Sequence, residues 1–325
     1  MEAFFFDEAK YQLLYNCSFY DYDSIPAESR AHPIVGSIFV ATAVFFIIIY
    51  IPCLLVFLHK EYRQQPCYQL MFILGINDIA LLLFSGVLTG IYGIFGTVYC
   101  QYPKTIYFLG SGGVSLWCAQ CITLVILALN RCLEMGNRHW ADILFGKGRV
   151  LHWMFLSIAY FNIVCWWTAP GIFNPFRMAW LFNPHDVYYA DPEVRYYNGV
   201  QFYNNIAMII VMTTIYSTFL YILYKRSSVT QNLKHAKLSF IQVFAICLAT
   251  VIICLAYVII QYVTLPVELG YLTQFIWICN SGFPAIIYLT LNPTLRHHVF
   301  MVVNRKRYLA SHKSTITPAV TPSVF

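Results

Sequence analysis

Charge is what this sequence lacks. Asp, Glu, Lys and Arg make up only 10% of its 325 residues, against 59% hydrophobic, whereas a soluble domain carries about 25% charge. So little charge cannot cover a globule of this length, which excludes a large soluble core and leaves an integral membrane protein. Histidine is missing from the interior of the apolar runs. All nine lie in connections or, like His152, at a run's edge, which excludes an intramembrane metal hydrolase, whose ligands must face one another in the bundle. The last apolar run has no lysine, which excludes a retinal Schiff base. The first ten residues, MEAFFFDEAK, lack the basic stretch of a cleavable signal peptide. Nothing repeats between the halves, and no enzyme, cofactor, metal or nucleic-acid partner is expected.

What is present is a series of apolar runs. A bilayer-crossing helix needs about 20 such residues, and seven stretches qualify: 34–58, 68–95, 105–130, 150–172, 201–224, 238–263 and 269–292. The expected fold is an all-α membrane protein, a seven-transmembrane helix bundle over 34–292. Residues 1–33 form an extracellular segment, and 293–325 a cytoplasmic amphipathic helix and disordered tail. Seven of the eleven cysteines (Cys53, Cys118, Cys121, Cys165, Cys247, Cys254 and Cys279) sit in apolar runs, where a thiol is a small hydrophobe.

Lys and Arg concentrate on the cytoplasmic side of a membrane. The N-terminal segment and the second, fourth and sixth connections hold five of them; the other connections and the tail hold fifteen. The N-terminus is therefore expected outside and the tail inside. The acceptor sequon Asn16-Cys17-Ser18 falls in the expected outer segment, which makes Asn16 a candidate glycosylation site.

One formally charged residue, Asp78, falls within the seven runs. It lies ten residues into the second, about 15 Å deep at 1.5 Å per residue. A carboxyl group there costs about 3 kcal/mol unless it faces the bundle interior and finds partners, so Asp78 is either an interhelical tether or a group that changes partners between states. Asn77 lies about 100° round the helix and addresses another neighbour. Arg131 ends the third run, as an anchor or as a working group at the inner mouth. In the seventh run Pro284 frees a backbone carbonyl. Tyr288, Asn292 and Arg296 follow at four-residue steps, on one expected face, and Pro293 marks a break. Beyond it Leu295, Val299, Val302 and Val303 alternate with basic residues, as in a helix lying on a membrane surface and touching lipid. Gly86 and Gly90 have the spacing of close helix packing within the bundle.

These segments together resemble a rhodopsin-like G-protein-coupled receptor. LGINDIALLL around Asp78 resembles the second-helix LAxxD pattern. LALNRCLE resembles the third-helix D/E-R-Y segment, with Asn130 and Cys132 in place of the acid and the tyrosine. PAIIYLTLNPTLR resembles NPxxY with its polar continuation, although alignment on Tyr288 leaves Pro284 one place early. The sixth run has no Trp-x-Pro, the fifth has no proline and the loop 171–200 has no cysteine. With those departures the chain is most similar to the nematode serpentine chemoreceptors of class T. The resemblance implies a chemosensory receptor in the plasma membrane of a sensory neuron, expected in its cilium, that activates a heterotrimeric G protein. It implies an activation set of Asp78, Asn130, Arg131, Pro284, Tyr288 and Asn292. Because Asn130 is neutral, Arg131 is expected to lack its usual adjacent acid and to be held loosely. Such receptors tie the top of the third helix to the following outer loop, which suits Cys100. That loop offers no partner, and Cys17 is the other cysteine expected in an aqueous outer segment. The alternatives are a Cys17–Cys100 bond, which we expect, and two free thiols.

A small-molecule site needs apolar walls and a few polar groups. The outer halves of the runs supply Trp117, Gln120, Asn204, Asn205, Tyr257, Gln261, Gln274 and Trp277, without a charge among them, which points to a neutral ligand. Alternative readings are a secondary transporter, which would show repeat symmetry and paired broken helices, or a ligand-gated channel. A channel of the insect odorant-receptor kind would place the N-terminus inside, against the charge split. The tail carries Ser314, Thr315, Thr317 and Ser323 as candidate phosphorylation sites. Its ending, Ser323-Val324-Phe325, is similar to a PDZ-domain ligand.

Overall fold

The computed structural model describes residues 1–18, 21–146, 148–187, 196–227, 234–260 and 266–304. The fold is a seven-helix bundle. Six helices are long and apolar enough to cross a membrane: Pro33–Phe57, Pro66–Phe95, Pro103–Gly136, Val150–Trp167, Gly199–Ile222 and Val267–Leu291. The sixth in chain order, Lys234–Ile260, carries a shorter apolar stretch, Phe244–Ile259. We refer to these seven as the first to seventh spans. An eighth helix, Pro293–Val303, follows at a sharp turn.

Proline sets several of these boundaries. Pro33, Pro66, Pro103 and Pro293 each open a helix, where the missing N–H costs nothing and the fixed φ is already helical. The first three spans therefore begin one or two residues earlier than hydropathy alone suggests. The fourth span was expected to reach 172 but stops at Trp167. Thr168 is extended, and Pro170 holds the residue before it out of the helical region. Ile172–Asn174 then leaves the helix direction and pairs with Ala179–Leu181 as an antiparallel hairpin. The third span runs past the expected end at 130 to Gly136, because the polar residues after Asn130 include no helix breaker.

The third span is the axis of the bundle, packed against the second, fourth, fifth and sixth. Its approach to the hairpin is tight: a Cβ on Gly110 would stand 1.6 Å from the Gly171 carbonyl oxygen. Gly90 of the second span meets Gly36 of the first less closely, a Cβ on Gly36 standing 2.5 Å from the Gly90 carbonyl oxygen and one on Gly90 standing 2.6 Å from that of Gly36. Both spans can touch backbone to backbone, as small residues allow where helix association is driven by packing.

The end that holds residues 1–30 is heavily tied. Cys17 and Cys100 are joined by a disulfide across a sequence separation of 83. Phe4 packs edge-on against Phe108, and Tyr15 edge-on against Tyr107, both at 5.0 Å. Arg30 is buried and donates to the Gly96 carbonyl at 2.8 Å, capping the last turn of the second span where cations are favoured. Burial raises the Tyr15 and Tyr99 phenols above their ordinary range, so both remain neutral hydroxyls. Asn16 accepts from the Ser18 N–H at 3.0 Å, and its sequon lies at this end. At the opposite end the eighth helix buries Leu295 and Val299. It docks on the first connection through Tyr62, whose hydroxyl lies 2.9 Å from His298 Nδ1.

Candidate functional site

Within the disulfide end, five rings close around a chamber in the bundle core. The sequence reading placed Trp117, Tyr257 and Trp277 there, and the fold brings them together, with ring centroids 5.7–6.3 Å apart. Two further rings complete it. Phe84 comes from the second span, 6.0 Å from Trp277, and Trp180 from the hairpin, 4.3 Å from Phe84. The second span is wound as a π-helix over Leu83–Leu88, the type of wide turn that recurs at functional sites. Thr89 Oγ1 donates to the Phe84 carbonyl and accepts from Trp180 Nε1 at 2.8 Å. Gln274 Nε2 reaches across to the Ser85 carbonyl at 2.8 Å. The π-turn thus binds the hairpin plug and the seventh span to one point.

The polar atoms of the chamber are only partly used. Trp117 Nε1 donates to Asn205 Oδ1 at 2.9 Å. Asn205 Nδ2, Tyr257 Oη, Trp277 Nε1 and Gln274 Oε1 are buried without a partner among the described residues. A buried polar group left unpaired costs about 1–3 kcal/mol, so these atoms are an unspent capacity for a guest. The free space beside them, lined among these rings by Phe84, Trp180, Tyr257 and Trp277, is a cavity of about 20 Å³, room for about one water molecule. The rings themselves fill the chamber.

Two expected ligand residues stand elsewhere, and a third cannot be placed among the described residues. Asn204 is half-buried and accepts from Tyr160 of the fourth span at 3.0 Å; Asn205, one position on, faces the chamber instead. Gln120 lies one helical turn from Trp117 and donates to Asp78, so it belongs to the deeper network. Gln261 lies outside the described residues.

Asp78 is fully buried. Its two carboxyl oxygens accept from Tyr50 of the first span and Gln120 of the third, so one side chain fastens three spans. Asn77 donates to the Leu116 carbonyl at 3.1 Å. The Tyr50 ring packs edge-on at 6.2 Å against Tyr288, which links the first and seventh spans directly below the carboxyl. Thr250 of the sixth span donates to Asn280 Oδ1 of the seventh at 3.2 Å. No group of three or more potential ligands that could hold a metal ion occurs among the described residues.

Among the described residues Asp78 is the single buried carboxyl. Residues 1–312 match the family described as serpentine type 7TM GPCR chemoreceptor Srt. The serpentine receptor class T-55 of Caenorhabditis elegans is 21% identical over 290 residues, spanning 87% of this chain and 78% of that protein. The chain belongs to the Srt family. It is a multi-pass membrane protein of a receptor family.

In this Srt chain the second cluster of expected site residues lies at the end opposite the disulfide. The expectation that Arg131 lacks a local acid is overturned. Arg131 pairs with Glu134 at 2.7 Å, because the helix continues past Asn130 and brings residue i+3 onto the same face. Arg131 Nε and both polar atoms of Asn130 remain buried without partners among the described residues. The Tyr288 hydroxyl is likewise buried without a hydrogen-bond partner among the described residues. The single face expected for Tyr288, Asn292 and Arg296 does not form. The seventh span ends at Leu291, and Asn292 takes an extended conformation. Its Oδ1 caps the eighth helix at the Leu295 N–H, 3.0 Å away, while its Nδ2 donates to Tyr68 of the second span at 3.3 Å. Arg296 is exposed on that next helix. Pro284 is buried inside an unbroken seventh span. The tail residues singled out for phosphorylation and PDZ binding lie outside the described residues.

Sequence reasoning missed Tyr50, Phe84, Thr89, Trp180 and Glu134. Tyr50 carried a signal, as a hydroxyl in an otherwise apolar run. Trp180 carried a weaker one, inside MAWLF in a polar loop. Nothing in the sequence announces the π-turn that aims Phe84.

Proposed function

We propose that this chain is a chemosensory receptor that binds a small uncharged molecule among Trp117, Asn205, Tyr257, Gln274 and Trp277 and passes the signal to a heterotrimeric G protein. One observation carries the reading. The seventh span bears Gln274 and Trp277 in the chamber and Tyr288 against Tyr50 and the Asp78 network. A guest that pairs with Trp277 Nε1 or Gln274 Oε1 therefore biases the same helix that positions Tyr288. Arg131 and Asn130 are the groups through which the arginine end meets the G protein, and movement of the third span away from Glu134 frees the guanidinium. Pro284 provides the weak point between the two halves of the seventh span, and Asn292 couples it to the eighth helix.

Residues 1–33 then lie outside the cell, 34–292 in the membrane and 293–325 inside, which agrees with the five-to-fifteen split of basic residues. Family membership supports the plasma membrane of a sensory neuron, in its cilium, as the site of action. Asn16 carries the glycan. Expression in a heterologous cell with a G-protein readout and a panel of volatile neutral compounds tests the function. A responding compound should lose its signal in Arg131→Ala while surface delivery is kept. Equal responses in both proteins would end this reading. For orientation, glycosidase should lower the apparent mass of wild type and leave Asn16→Gln unchanged; a C-terminal tag accessible on intact cells would overturn it.

A further inference from the structure

The chamber of about 20 Å³ is not the only space at the disulfide end. A second cavity, of about 500 Å³, lies between two short N-terminal helices, Glu2–Phe6 and Glu8–Tyr15, the start of the third span, the end of the fourth and the start of the fifth. Ligand clefts have volumes of about 300–1,000 Å³, so the larger space is already of ligand size, whereas the chamber's rings must part to admit a guest. Phe182 is common to both: it follows the hairpin's last strand residue, is half-buried, and lines each cavity. Val200 lines the larger space and its neighbour Gln201 the smaller. The two spaces are therefore one side chain apart.

We propose that the space under the N-terminal helices is itself a binding site for an uncharged, ring-containing molecule, and that Phe182 is the partition such a molecule passes to reach the Trp117–Trp277 chamber. The walls argue for the ligand class. Tyr15, Tyr107, Trp167 and Tyr203 present rings, on which a planar guest packs edge-on or offset. The charged side chains on the described wall, Glu2 and Lys10, pair with each other at 3.6 Å, so neither offers a lone counter-charge to an ion. Other polar groups on the wall are committed. Thr168 Oγ1 donates to the Val164 carbonyl, Asn198 Nδ2 donates to the Ala169 carbonyl, and Asn198 Oδ1 accepts from the Gln201 N–H. The exposed Tyr203 hydroxyl, which can both donate and accept, stands on this wall to orient a guest. A guest held there stands against Phe182. Rotation of that ring about χ1, between staggered positions, opens the shortest way inward without unpairing the hairpin strands.

This inference rests on the receptor reading, yet it can be tested without a known ligand or a G protein, so failure of coupling and failure of the site are distinguishable. The free cysteines of the described chain are buried or half-buried, and the wild type sets the labelling background. In the full-length protein, Thr168→Cys should react with a trimethylammonium-ethyl methanethiosulfonate well above that background, and Val114→Cys, on the chamber wall, should not. Adding Phe182→Ala should speed Val114→Cys labelling by about tenfold, the effect of removing a barrier of about 1.4 kcal/mol. Phe182→Leu, which keeps apolar bulk, should give a smaller increase, and it substitutes if the alanine variant does not fold. Indole at twice its dissociation constant should slow labelling of Thr168→Cys by about threefold, as simple occupancy requires, and benzoate should not. Background labelling of Thr168→Cys, equal protection by benzoate, or a Val114→Cys rate unaffected by both Phe182 variants would overturn the proposal.

Discussion

The two ends of the bundle solve different problems. At the disulfide end the chain is held by a covalent bond, by rings packed edge to face and by a hairpin whose Trp180 bonds the π-turn. At the arginine end, by contrast, Asn130, Arg131 Nε and the Tyr288 hydroxyl are buried and unpartnered among the described residues, and a single i,i+3 ion pair restrains Arg131. Unpaired buried groups cost stability. The chamber at the disulfide end holds such atoms too, so the ends differ in their ties: a disulfide at one, an ion pair on Arg131 at the other, which suits an end that exchanges partners. A covalent tie at one end and an exchangeable ion pair at the other let a small movement begun in the chamber be read at Arg131 rather than absorbed.

That contrast can be broken by mutation. The largest effect should come from Gly110→Ala, which drives a Cβ into the Gly171 carbonyl. It should cost about 3 kcal/mol and sharply lower the apparent unfolding midpoint of purified protein. An unchanged midpoint would show that the hairpin yields freely and is no plug. Cys17→Ser should cost about 2 kcal/mol, less than the same bond in a soluble domain because insertion already restrains the unfolded chain; it should be read in the same thermal assay. Tyr50→Phe removes one of the two donors to Asp78 and should cost about 1 kcal/mol. The accompanying change in evoked signalling tests whether the carboxyl is a working group or only a tether. Asp78→Asn, nearly the same shape, should keep surface expression and reduce the evoked response. The smallest stability change belongs to Glu134→Gln, at most about 0.5 kcal/mol, but it should raise basal G-protein output. A fall in midpoint as large as that of Cys17→Ser, with basal output unaltered, would erase the distinction between the ends.

How much of this could be read from sequence varies with the range of the interaction. Span number followed from hydropathy, since bilayer thickness sets helix length, and Asp78 stood out as the lone charge in seven apolar runs. The boundaries were legible in proline, had Pro33, Pro66 and Pro103 been read as first helical residues and Pro170 as a stop. The aromatic chamber was half legible. Trp117, Tyr257 and Trp277 lie in apolar helices whose interior faces must meet, but Trp180 reaches them through a hairpin whose register only the fold defines. Gln120 was misassigned because depth along a helix was read without the partner opposite: Asp78 claims it. Asn204 and Asn205 are adjacent, so only helix rotation decides which enters the core. Glu134 becomes a partner for Arg131 only when the helix is carried past Asn130 to Gly136, an extension that hydropathy does not signal.

The packing of indoles in the chamber has an optical consequence. Of the seven tryptophans in the chain, Trp117 and Trp277 lie 6.0 Å apart and Trp180 joins them through Phe84. Near-ultraviolet circular dichroism reports fixed aromatic packing, and its signal here is weighted toward the region where a guest would enter. The unlabelled protein thus carries its own chromophore cluster at the point of interest, and a compound that parts Trp180 from Phe84 would change the spectrum before any downstream partner is present.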